Sequence, residues 1–562
     1  MSALLFLVPV LSVALTSAAP LSCPPLQQVV VLDAHRGGVI CVDDARSNGF
    51  VVVDLSDSWV PLVLADSTYA ATYVGLADER YDVVGAGPRA SDDRYFEQWG
   101  IVPNLTVLEH RLQDSPRHAC DALVDNSALH LGQGVRRASP AHAERSAQHD
   151  EIDALQGHMV CEGLLNAGDA DGVFGPATAR ALAVWQRKEA LYGEAGVVDD
   201  ETRARLSVSS RRRDLQAVMR ALRERVADAA GLIEDGSALD EQATVLGVLL
   251  DPPSMRPSRR QPALRGAPDL VDRSTDTAAR ALGFDDDDFG EGMVDVDHDA
   301  AVVALVHRAR GFDQIAVRLP FPAWHSAHMA DLAAGIDLGE VTSTGVGVRG
   351  GERPVLRLTT VIDGEIVPLV TWPTTIGGNQ RVQLDSGDIV RRNKASPVGL
   401  FVWRWLWAAP VWYPPRSTPD DELVLRGATG VVVNDEGIGP GYRSAFGLMM
   451  FQHHNVLTRT DGSEQFVDNG VRTHGTGTVR SVLIGGASHG CHRLLPRSAL
   501  RLATFVLRHR AHMTSVPVLE GYDRDLVVGG RHLRLVRTVR GTRTELTPPM
   551  VVNVAETCPI NG

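Results

Sequence analysis

The chain lacks a basic excess: 55 Lys and Arg stand against 69 Asp and Glu, a formal net charge of −14 over 562 residues. Phosphate binding is driven by clustered Lys and Arg, so this balance argues against a nucleic-acid partner. Beyond residues 1 to 19 there is no apolar run of the roughly 20 residues that a membrane-spanning helix needs. Ordered calcium-ligand spacing is missing as well. The acidic stretch from Asp285 to Asp299 has no closing Glu and reads as a solvated loop. His325 and His328, beside Trp324, would hold zinc only with further ligands that the sequence does not supply.

What is present divides into several units, since roughly 100 to 200 residues make one domain. Residues 1–19 form an apolar run ending in small residues, which reads as a secretory signal and implies an exported protein of periplasm or cell wall. Pro20-Leu21-Ser22-Cys23 loosely resembles a lipoprotein processing site, the alternative fate for Cys23. The other cysteines are Cys41, Cys120, Cys161, Cys491 and Cys558, some of which an exported chain can pair. Residues 24–148 hold short β-type runs broken by Asp, Gly and Ser and read as a small β-containing domain, with Tyr95 to Trp99 as core aromatics. Residues 211–340 read as mainly helical, with a Pro/Arg-rich linker at 252–268. In the helix from Arg211, the residues Leu215, Val218, Met219, Leu222 and Val226 share one face, and the arginines read as its solvated face. In the tail, 516–562, Gly529-Gly530 divides two alternating runs and predicts a β-hairpin.

The chemistry concentrates in Arg472-Thr473-His474-Gly475-Thr476 and Ser488-His489-Gly490-Cys491-His492-Arg493. A cysteine attacks carbonyls as the thiolate and needs a neighbour to take its proton; His474 and His489 qualify by type. Gly490 lets the backbone turn and present N–H groups to a developing oxyanion. Pro496 and the apolar residues after it predict a helix just beyond the cysteine, whose N-terminus would favour the thiolate.

These two segments resemble the signature of the L,D-transpeptidase catalytic domain, over roughly residues 352–515. Further matches are the Val355–Val370 hairpin around Asp363-Gly364 and Ser396-Pro397-Val398-Gly399-Leu400-Phe401, similar to the family's Pro-x-Gly-x-Phe segment. The resemblance implies a mainly β domain in which Cys491 is the nucleophile and His474 the general base. It also implies that the carbonyl of Gly475 orients that base, and that N–H groups around Gly490 and Cys491 form the oxyanion hole, with His489 lining the pocket. Ser488, His492, Arg493 and Thr476 would contact substrate. Arg493 stands where many members have asparagine, and a guanidinium there favours a substrate carboxylate.

Upstream, Ile152, Leu155 and Met159 fall at helical spacing, Asp171-Gly172-Val173-Phe174-Gly175-Pro176 forms a turn into a helix carrying Leu182 and Trp185, and Asp199 caps a third helix. Residues 150–207 resemble the small three-helix peptidoglycan-binding domain through Asp171, Phe174, Thr178, Trp185 and Gln186. The expected whole is a multidomain α+β protein: an all-α wall-binding module, a mainly β catalytic domain and a β-containing N-terminal region. The expected partners are peptidoglycan stem peptides and glycan. Cys491 would attack the third stem residue, release D-alanine and pass the acyl group to an amine, giving a 3–3 cross-link. Water as acceptor would make a carboxypeptidase, an inert site a wall-binding protein, and cleavage of L-peptides a cysteine peptidase. Thiol acyl transfer needs no metal or other cofactor.

Overall fold

The structure is a computed structural model that describes residues 23–33, 36–78, 99–114, 142–188, 196–206, 210–233, 270–284, 297–319, 329, 331–339, 354–362, 365–427, 430–477, 481–482 and 488–556. The expected signal segment, Tyr95 to Gln98, the 252–268 linker, the acidic stretch through 296, Trp324 to His328, Asp363-Gly364, Cys120 and Cys558 lie outside the described residues.

Near the N-terminus, β1 (Gln28–Asp33) and β2 (Arg36–Cys41) form a hairpin, tied by a disulfide between Cys23 and Cys41. That bond occupies the thiol that lipidation of Cys23 would require. Cys161 is disulfide-bonded too. β3 (Val51–Asp54) does not pair with this hairpin directly. A strand from far along the chain, β4 (Gln314–Val317), sits between β1 and β3, pairing parallel with one and antiparallel with the other. The segment 24–148, read above as a unit of its own, therefore shares its sheet with residues 314–317. It shares its core as well, because Leu64, Tyr73 and Leu105 belong to one apolar cluster with Leu222, Leu305, Trp403 and Phe505.

Among the described residues the main sheet has nine strands. Along it run β15 (His492–Arg493), β14 (Glu464–His474), β13 (Met449–Thr458), β10 (Gly399–Ala408), β17 (Arg531–Ala555), β5 (Ala333–Asp337), β6 (Val355–Ile362) and β7 (Glu365–Pro373), with β16 (His512–Val528) paired to β17. The expected hairpins are present: Ile362 pairs with Glu365, and Val528 pairs with Arg531 across Gly529-Gly530. The tail is no appendage, since β17 inserts between β10 and β5. Two small hairpins, β8 (Asn379–Gln383) with β9 (Ile389–Asn393) and β11 (Val424–Gly427) with β12 (Gly430–Val433), stand outside the main sheet.

β10 reads Gly-Leu-Phe-Val-Trp-Arg-Trp-Leu-Trp-Ala, an aromatic and β-branched run suited to a strand covered on both sides. Its register shifts between Trp403 and Trp405. An inserted residue reverses the alternation of faces, so Trp403 stacks on Phe451 in the core, ring centroids 4.2 Å apart. Trp407 faces the other way and donates its indole N–H to Gln452, 3.0 Å. The core side is covered by the helix Pro496–His509, which begins with proline at its first position and has nearly all its residues from Ala499 to Leu507 buried.

In the helix Ser210–Ala230 the arginines are not all solvated. Arg223 is buried and paired with Asp272, 2.8 Å, and Arg225 is buried over the ring of Trp59.

The helices His142–Cys161, Pro176–Lys188 and Asp200–Leu206 close around a separate core of Leu155, Met159, Leu182, Trp185 and Leu206. Asp199 accepts from the N–H of Thr202, 2.7 Å, as the expected cap. Among the described residues no helix is long and apolar enough to cross a membrane.

Candidate active site and wall-binding module

β14 and β15 run parallel, with Thr473 opposite His492 and His474 opposite Arg493. Side chains alternate along a strand and match across a register. His474 and Arg493 therefore share one face, and Thr473 and His492 the other. Cys491, one residue before β15, is a free, partly buried thiol whose sulfur accepts from the backbone N–H of Arg472. Burial pushes this thiol up, while the guanidinium groups of Arg472 and Arg493 pull in the opposite direction. The expected lowering by a helix N-terminus is not what governs it, because an extended segment separates Cys491 from the helix that begins at Pro496.

His474 is buried, and its Nδ1 contacts the carbonyl oxygen of Gly475. A carbonyl only accepts, so Nδ1 carries the proton and Nε2 keeps its lone pair. Burial first, and then Arg493, depress the imidazole to about 3. At neutral pH the site therefore holds a neutral imidazole and a neutral thiol. The ring of Phe446 meets the imidazole edge-on, 4.8 Å between centroids.

Arg472 is fixed by both oxygens of Asp468, each 2.7 Å from a guanidinium nitrogen, and Gln452 donates to the same carboxylate at 2.7 Å. Arg472 holds Asp468 below the usual carboxylate range in spite of burial.

Gly490 has φ +106, a conformation that L side chains rarely adopt. The hydroxyl of Ser396 donates to its carbonyl, 3.0 Å, and accepts from the N–H of Gly377, 3.0 Å. In a trans peptide the N–H points away from the carbonyl, so this bond aims the N–H of Cys491 to the opposite side. The segment from Thr375 to Gly378 runs alongside the cysteine loop: Ser488 N–H donates to Ile376, Gly378 N–H to Ser488, and Thr375 and Arg493 exchange backbone bonds of 3.0 and 3.2 Å. Asp468, Gln452, Phe446 and Thr375–Gly378 escaped the sequence reading, and Ser396 entered it only as the first residue of the segment similar to Pro-x-Gly-x-Phe. The Gly377-Gly378 pair was their one local sign, as a place of close backbone approach.

The remaining expected residues differ in their setting. His489 is exposed, and its imidazole is lowered by partial burial and by Arg493. Arg493 is lowered by burial, and Cys491 opposes that shift; its Nε is buried with no hydrogen-bond partner among the described residues. Ser488 and Thr476 are buried. His492, expected to touch substrate, is fully buried on the core side, with its ring 5.3 Å from that of His453 and, among the described residues, no hydrogen-bond partner for either nitrogen. It faces away from Cys491.

In the helical module, Thr178, Trp185 and Gln186 are buried, so they build its interior and not its surface. Two glutamines do equivalent work. Gln156 accepts from Gly172 N–H, 2.7 Å, and donates to Val173 O and Thr178 Oγ1, 3.0 and 2.8 Å. Gln186 accepts from Gly196 N–H and donates to Val197 O and Thr202 Oγ1, each 2.8 Å. Each amide thereby satisfies the loop that follows its helix. Asp171 is exposed and caps Val173 N–H, 3.0 Å, and Phe174 is partly buried. Among the described residues no group of three or more His, Cys, Asp or Glu is arranged to hold a metal ion.

Residues 148–206 match the family described as a putative peptidoglycan binding domain. Neither the curated proteins nor the solved structures give a match to the chain.

Proposed function

We propose that this protein is a cysteine-dependent peptidoglycan L,D-transpeptidase, exported to the cell wall and held there by its peptidoglycan-binding module. The matched module supports peptidoglycan as a partner and association with the wall. The Cys23–Cys41 disulfide fits an oxidising compartment.

One observation carries the catalytic reading. A free thiol lies at the start of the strand paired with β14, whose last residue, His474, has its Nδ1–H on a carbonyl and its Nε2 left as a base. As the stem peptide docks, the thiol proton passes to Nε2 while sulfur attacks the carbonyl of the third residue. The N–H of Cys491 stabilises the oxyanion. On collapse, the amine of the terminal D-alanine takes the proton from His474 and leaves a thioester. An amine from a second stem attacks that thioester, its proton returns through His474 to sulfur, and a 3–3 cross-link results. A neutral resting pair suits this sequence, because the proton moves only when the electrophile is present. Arg493, a half-buried cation beside the thiol, is matched by a substrate carboxylate.

The test is mass spectrometry of the full protein, and of Cys491→Ala, after incubation with disaccharide-tetrapeptide. Cysteine-dependent dimers lacking one D-alanine support transpeptidation, and tripeptide without dimers indicates water as acceptor. No product and no acyl adduct on folded, reduced protein would leave a wall-binding protein.

A further inference from the structure

The segment from Trp99 to Val102 touches both the loop that follows His474 and the helix that follows Cys491. Trp99 is buried and donates its indole N–H to the carbonyl of Gly477, 3.3 Å, in the loop that follows His474. Its ring packs on Tyr442, 5.3 Å between centroids, and Arg443 covers both rings. The same loop is pinned from its other side, Gly477 N–H donating to Ser444 at 2.9 Å and Gly475 N–H to Met449 at 3.2 Å. Gly475 is the residue whose carbonyl orients His474.

One residue beyond Trp99, the chain touches the helix that follows Cys491. A Cβ placed on Gly100 would fall 2.7 Å from Leu500 Cδ1 and 3.4 Å from Arg497 Cα. The hydroxyl of Tyr73 holds this segment from behind, donating to Gly100 O and accepting from Val102 N–H, each 3.1 Å. Arg497 and Arg501 of that helix are anchored in turn by Glu224, 2.7 Å each.

From this geometry we infer that Trp99 is a positioning residue, and that the segment Trp99–Val102 is an internal strap fixing the His474 loop relative to the helix after Cys491. This gives the N-terminal region a task within the site. The inference deepens the proposed function and rests on its pairing of His474 with Cys491. It does not depend on the identity of the substrate.

The experiment is alkylation of Cys491 by iodoacetamide in the full chain near neutral pH, followed by peptide mass spectrometry. Trp99→Phe keeps an aromatic ring against Tyr442 while removing the N–H and part of the indole's bulk. We expect it to slow alkylation about fivefold, the worth of roughly one hydrogen bond, and to lower kcat more than it changes KM. In a His474→Gln background the same substitution should have no further effect, since coupled residues are non-additive. An unchanged rate in Trp99→Phe, or an equal loss with and without His474, would overturn the inference. Coupling in alkylation without any turnover on disaccharide-tetrapeptide would keep the strap and remove the transpeptidase reading. Turnover that is normal in Trp99→Phe would do the reverse.

Discussion

The hydroxyl of Ser396 donates to the carbonyl of Gly490 and accepts from the N–H of Gly377, so one side chain ties the cysteine loop to two other segments. In Ser396→Ala both backbone groups lose their partner in a buried place. An unsatisfied buried polar group costs about 1–3 kcal/mol, so calorimetry should show a melting temperature lower by several degrees. The acylation rate of Cys491 should fall further than stability alone explains, because the Gly490–Cys491 peptide is then free to rotate. Ser396→Thr keeps the hydroxyl and should recover most of both.

Arg493 carries the substrate-recognition reading. If its guanidinium meets a stem-peptide carboxylate, Arg493→Gln should raise KM about tenfold, and the loss should vanish with a substrate in which that carboxylate is amidated. The ratio of kcat/KM for acid and amide substrates checks this. Equal losses on both substrates would place Arg493 in the packing of the site and not in recognition.

The wall-binding module supplies a third prediction. Gln186→Leu leaves the N–H of Gly196 and the carbonyl of Val197 without their partner, next to the fully buried Trp185. We expect the module to lose about 2–4 kcal/mol, and binding to sedimented peptidoglycan to fall at elevated temperature while Cys491 alkylation stays normal. Val173 is exposed on the loop, so Val173→Ser should leave the module folded. Any loss of binding in that variant reports on the contact surface itself.

Local features were legible in the sequence. The helical periods of the module, the Asp199 cap, the Gly529-Gly530 turn and the helix opening at Pro496 each have a short-range signature, and each is present. The Gly475 carbonyl against His474 followed from the resemblance and is also present. Pairings made at long range had no such signature. Nothing near Gln314 announces that it completes a sheet with Gln28 to Asp54, and nothing in the tail announces that β17 enters the centre of the main sheet. The bulge in β10 reverses which tryptophans face the core, and a single inserted residue is invisible to a period-two pattern. The direction of the thiol shift was misjudged for a related reason. Desolvation depends on what covers the group in three dimensions, whereas a nearby helix start can be read from sequence.

The buried histidines give a pH dependence with a definite sign. His474 and His492 are each depressed to about 3 by burial, and His453, the partner of Trp403 and Thr473, lies well below its ordinary value for the same first reason. Above the unfolded value of about 6.5 neither state binds the proton, and these groups contribute no pH dependence. Below it the unfolded chain takes up protons that the folded chain refuses. Stability therefore falls as pH drops from about 6.5 towards 3, by up to about 1.4 kcal/mol per pH unit for each such histidine. His492 isolates the effect, because its ring is fully buried, has no hydrogen bond to lose among the described residues, and faces away from Cys491. His492→Leu should be neutral or slightly stabilising at about pH 7 and more stable than wild type by about 2–3 kcal/mol at about pH 4.5. Urea unfolding at the two pH values measures the difference. A parallel loss of stability in both proteins would show that His492 is protonated in the folded state, and that a partner for it exists inside the core.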